Sequence, residues 1–127
     1  MKKQDLPLSP HLQIYKPQIT SLLSISHRIS GVALNFMLVI LVLGLICITL
    51  GESYFELLIS LITSFPIKII IFLAILGFSY HFLNGIRHII WDFGFLLGNR
   101  SSAIFGYIII ATSFISSILI SRLLGLF

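Results

Sequence analysis

The sequence predicts an all-α membrane protein with three transmembrane helices, its N-terminus cytoplasmic and its C-terminus outside. Three observations predict it. Of 127 residues, 57% are hydrophobic and only 9% charged, against roughly a quarter charged in a soluble domain. The apolar residues fall into three long runs broken by short polar stretches. The basic residues are unevenly placed: Lys2, Lys3, Lys16 and Arg28 precede or open the first run, and Arg100 lies between the second and third. Lys and Arg accumulate on the cytoplasmic side of a membrane protein, so the formal charge of +4 is a topology signal and not a nucleic-acid surface. The whole chain, 1–127, reads as one membrane domain.

Residues 1–18 are polar and interrupted by Pro7, Pro10 and Pro17. They form a surface arm, with His11 a surface residue, and lack the apolar core of a signal peptide. After Pro17, Thr20 or Ser21 can cap a helix, giving a first span at about 21–50. Thirty residues of helix are ~45 Å long, more than the ~30 Å hydrocarbon core. The surplus falls on the first turns, which hold Ser21, Ser24, His27 and Arg28. Gly51–Ser64, with Glu52 and Glu56 and no basic residue, reads as a short connection. Pro66 suits the first turn of a second helix, spanning about 67–93, and Lys68 can snorkel to the interface. Gly94, Gly98, Asn99 and Arg100 mark a loop before a third span at about 103–124. Its serines and threonines suit close packing against neighbouring helices. Cys47, the only cysteine, is a small apolar residue within the first run.

Two polar stripes interrupt this pattern. On the second span His81, Gly85, His88 and Asp92 recur at i, i+4, i+7 and i+11, with Asn84 beside them; on the first, Ser24, Arg28, Gly31 and Asn35 do the same beside His27. Such residues share one helix face. The antiparallel course of the two spans sets both stripes near the inner leaflet. Ionisable groups are costly against lipid and belong on protein, a cofactor or a water-filled pocket. A neutral imidazole is well suited to haem iron, and equally to a hydrogen bond with a neighbouring helix. Gly85 favours haem, because a glycine one turn away from His81 lets a flat macrocycle approach the backbone. His81 and His88 share a face ~10 Å apart along the axis, so they cannot ligate opposite faces of one porphyrin. A second ligand then points to another polypeptide. Arg28 and His27 offer donors for haem propionates or a quinone carbonyl, although an isolated interfacial arginine more often snorkels to lipid phosphate. Arg87 with Asp92 reads as a salt bridge or lipid contact, and Trp91 and Tyr107 as interfacial aromatics. No cysteine cluster, glycine-rich phosphate loop, nucleophile triad or HExxH motif is present, so nothing in the chain oxidises a soluble substrate.

Ser24-x-x-His27-Arg28-x-Ser30-Gly31, followed by His81-x-x-x-Gly85-x-Arg87-His88-x-x-x-Asp92, resembles the larger cytochrome b membrane-anchor subunit of succinate dehydrogenase. The arm from Leu8 to Pro17 is similar to the mitochondrial-type branch. The resemblance implies a subunit of a quinone-reducing enzyme: a heterotetramer with a flavoprotein, an iron–sulfur protein and a second small membrane anchor in the lipid bilayer, with no nucleic acid partner. It implies haem b shared with that second anchor, His81 being one axial ligand of the haem iron and the partner supplying the other. His27 and Arg28 would contact the propionates, and Ser24, Ile25 and Arg28 would line the pocket for ubiquinone, the substrate. The location implied is the inner (cytoplasmic) membrane, or the mitochondrial inner membrane in a eukaryote. The alternatives are the anchor of a fumarate reductase, or a haem-free structural anchor. A small channel would need an acid deep within a span, whereas Asp92 lies at the end of one.

Overall fold

The structure, a computed structural model, describes residues 16–127; most of the surface arm, with His11, lies outside the described residues. Among these, the chain forms four helices: α1 (Ile19–Thr49), α2 (Glu52–Thr63), α3 (Phe65–Asp92) and α4 (Asn99–Leu123). Three of them, α1, α3 and α4, are long and apolar enough to cross a membrane. Pro66 sits in the first turn of α3, where its missing N–H has no helical partner to lose.

The stretch expected to be a plain connection is the helix α2. Glu52, Ser53, Glu56, Ser60 and Thr63 fall on one arc of it and Tyr54, Leu57, Leu58, Leu61 and Ile62 on the other, the pattern of an amphipathic helix. Reading that stretch for its charges alone concealed this period. Gly51, at φ 114°, takes a conformation open to glycine and separates α2 from α1. Leu58 and Ile62 lie by the C-terminal half of α1 and the N-terminal half of α3, beside a cavity of about 670 Å³ also lined by Leu41, Ile70 and Ala74.

α3 is the central element, packed against both α1 and α4, and runs antiparallel to each. The bundle is polar inside and apolar outside. Among the described residues the buried hydrophobes are Leu23, Ile109 and Leu126, whereas Ser79, Asn84, Arg87, Ser102, Ser113, Ser117 and Ser121 are all buried. Lipid solvates Leu, Ile and Phe as well as a protein core does, so burial goes to residues that let backbones approach or form hydrogen bonds. On α4 that seam is Ser102, Gly106, Ile109, Ser113, Ser117 and Ser121. A Cβ on Gly106 would collide with Leu23 Cδ1, so glycine sets the approach of α1 to α4. Tyr80 ties α3 to α1 by donating its hydroxyl to the Leu23 carbonyl at 2.7 Å.

Candidate functional site

The antiparallel pairing of α1 and α3 brings three histidines into one cluster. The His27 and His81 rings stack with centroids 4.0 Å apart and 10° between planes. His27 also meets His88 at 5.2 Å, and His88 meets the Trp91 ring edge-on at 5.1 Å. His27 therefore lies between the two α3 histidines, in ring contact with both.

His81 is fixed by its Nδ1, which is 3.1 Å from the His27 carbonyl and 3.1 Å from Ser30 Oγ. The Ser30 hydroxyl itself donates to the His27 carbonyl at 2.8 Å. A carbonyl only accepts, so Nδ1 carries the proton and Nε2 keeps the lone pair. This is the arrangement by which an outer-shell acceptor selects the coordinating nitrogen of a ligating histidine. Gly31 completes the seat, because a Cβ there would stand 2.9 Å from His81 Cε1. Before Gly85 stands the His27 ring, whose Nε2 would be 3.9 Å from an added Cβ. That Nε2 is buried with no hydrogen-bond partner among the described residues.

The remaining predicted residues lie elsewhere on α1. Ser24 is half-buried, and Ile25 and Arg28 are exposed. Arg28 borders a shallow apolar groove with Ile29, Val32 and Phe36, on a face that no helix among the described residues covers. His27 and His81 are thus brought together, while Ser24, Ile25 and Arg28 form a separate, open surface nearby.

Arg87 corrects a further expectation. It neither pairs with Asp92, which is exposed, nor faces lipid. It is fully buried and donates to Asn84 Oδ1 at 3.3 Å and to the carbonyl and hydroxyl of Ser102 at 3.0 and 2.9 Å. Its guanidinium lies 4.1 Å over the Trp91 ring, so Trp91 serves the bundle interior and not a lipid-facing belt. The signal for this was present: Asn84, Arg87 and Trp91 recur at i, i+3 and i+7, a second stripe beside that of the histidines.

The family model described as "Succinate dehydrogenase/Fumarate reductase transmembrane subunit" matches residues 2–120. The chain belongs to that family. Similar relatives include the succinate dehydrogenase cytochrome b556 subunits of Rickettsia typhi, 42% identical over 90% of this chain and 89% of the relative, and of Rickettsia prowazekii, 41% identical with the same coverage. The cytochrome b560 subunit of Chondrus crispus is 44% identical over 76% of this chain and 78% of its own length. Within the family, these names support a cytochrome b anchor subunit of succinate dehydrogenase, part of an oxidoreductase complex in a membrane. A cytochrome b subunit implies haem. The residues of this anchor fit one: a histidine with its tautomer selected, a glycine seat a Cβ would fill, and a buried imidazole nitrogen awaiting a partner.

Proposed function

We propose that this chain binds haem b through His81, shares it with a second small anchor subunit supplying the other axial ligand, and helps form the ubiquinone-reduction site of succinate dehydrogenase. In this reading it holds the flavoprotein and iron–sulfur subunits at the inner membrane, with its N-terminus cytoplasmic and its C-terminus outside. The observation that carries the reading is the engagement of His81 Nδ1 by the His27 carbonyl, which leaves Nε2 available to iron. Haem, when bound, supplies a one-electron relay.

The other residues follow from their positions. His27 Nε2, buried without a partner among the described residues, would donate a hydrogen bond to a propionate oxygen, removing a desolvation cost of ~1–3 kcal/mol. Arg28, exposed at the edge of the same helix turn, supplies the compensating positive charge. Ser24, Ile25 and Arg28 form one wall of the quinone pocket, and their open face suits closure by the neighbouring subunits. Ser24 and Arg28 are donors, so they orient the quinone carbonyls and stabilise negative charge that develops on them, while Ile25 packs on the ring. Succinate oxidation, with quinone as acceptor, is preferred to fumarate reduction because the similar relatives are named for the former.

The experiment is a reduced-minus-oxidised optical spectrum of the complex purified with its partners, for native protein and His81→Ala. A b-type signal lost or altered in the variant is expected. An identical signal in both would move the ligand elsewhere, and no signal in native protein would favour a haem-free anchor.

A further inference from the structure

Arg87 is a permanent cation at 0% exposure inside a bundle whose outside faces lipid. Among the described residues its hydrogen-bond partners, Asn84 and Ser102, are neutral, and its Nε has none. Among the described residues no carboxylate bonds to it. Burying a charge without a counter-charge is expensive, and helix packing alone is met more cheaply by an apolar side chain of similar volume. The serine seam already lets α3 and α4 approach closely. A charge kept under these conditions calls for a use that depends on the charge.

That use is indicated by what Arg87 touches. Its guanidinium covers Trp91, Trp91 meets His88, His88 meets His27, and His27 stacks on His81. A continuous run of rings therefore joins the buried cation to the proposed haem ligand. Low-dielectric surroundings transmit a field that salt screens only weakly. Asp92, one turn beyond His88, is exposed and so cancels little of it.

We propose that Arg87 is a tuning residue: its uncompensated charge, clamped by Ser102 of α4, raises the affinity of the His81-bound haem for an electron. This rests on the reading of His81 as the haem ligand. Six residues of helix separate Arg87 from His81 by ~9 Å along the axis. At an effective dielectric of ~20 and a separation of ~10–15 Å, one unit charge changes the reduction equilibrium by about tenfold, which is about 59 mV for a one-electron couple.

The test is an optical redox titration of the assembled complex in native, Arg87→Lys, Arg87→Gln and Asn84→Asp forms. Arg87→Lys keeps the charge and is expected to keep the native midpoint. Arg87→Gln is expected to lower it by about the shift above. Asn84→Asp reports the same field without removing the arginine, because its carboxylate stands at the Asn84 Oδ1 position, 3.3 Å from the guanidinium; it too is expected to lower the midpoint, and it decides the matter if Arg87→Gln fails to assemble. A His81-dependent spectrum with a native midpoint in Asn84→Asp, or in an assembled Arg87→Gln complex, overturns the tuning role alone. Absence of a His81-dependent spectrum removes the haem reading and this inference with it.

Discussion

Replacing Gly31 by alanine adds one carbon at the tightest point of the histidine seat. The new Cβ would lie 2.9 Å from His81 Cε1, whereas carbon atoms rest at ~3.5–4.0 Å; the ring must withdraw by roughly 0.6–1 Å. It has little freedom to do so. Its Nδ1 is held at 3.1 Å from both the His27 carbonyl and Ser30 Oγ, and its face is stacked on His27 at 4.0 Å. Overpacking of this kind costs ~1–3 kcal/mol, while alanine in place of glycine returns at most ~1 kcal/mol of helix propensity. The expected net loss, ~1–2 kcal/mol, corresponds to a fall of roughly 5- to 30-fold in retention of the native ligand geometry. Haem content per assembled complex and its thermal retention measure this. Gly77→Ala is the control, because nothing lies within 4 Å of a Cβ there; it should leave haem retention at the native level. Equal haem retention in Gly31→Ala and Gly77→Ala would refute the account of the seat.

Two further outcomes are expected. Ser24→Ala and Arg28→Leu should each lower quinone reduction by tenfold or more if a donor to the quinone is lost, on the scale of ~1.5–3 kcal/mol for a charged hydrogen bond. Succinate oxidation with an artificial soluble acceptor should be retained; equal loss of both activities would indicate failed assembly instead. Ser117→Leu, at a position of 0% exposure on the α4 seam, should force α3 and α4 apart at a cost of ~1–3 kcal/mol. Thr112→Leu, on the exposed face of the same helix, should stay within about 0.5 kcal/mol of native; thermal unfolding of the purified complex compares them.

The spans were legible because hydropathy over twenty or more residues is a strong signal, and because Pro66 and the glycines mark helix ends. α2 was missed because its length, 12 residues, is too short to cross a membrane and its two glutamates drew the reading toward a loop. The meeting of His27 with His81 was legible only as a shared depth. The contact itself depends on which way α3 is rotated about its axis, and on that point the stripes of His81 and Asn84 compete within one turn. The structure resolves the competition: the histidine stripe turns to α1 and the Asn84–Arg87–Trp91 stripe to α4. Arg87 was misread because arginines near span ends usually snorkel outward, and nothing in the local sequence reveals that Ser102 meets it from the next helix.

Two of the ties that hold α3 differ sharply in chain separation. Arg87 reaches Ser102 across 15 residues, while His81 reaches the His27 carbonyl across 54. Closing the shorter loop costs less entropy, and local contacts form sooner. When the full-length chain refolds, the α3–α4 hairpin is therefore expected to close before α1 docks on it. Until that docking, His81 lacks the acceptor that selects its tautomer and the glycine seat that orients its ring. On the proposed reading of His81 as a haem ligand, the ligand geometry would then be completed last, once α1 has joined the bundle.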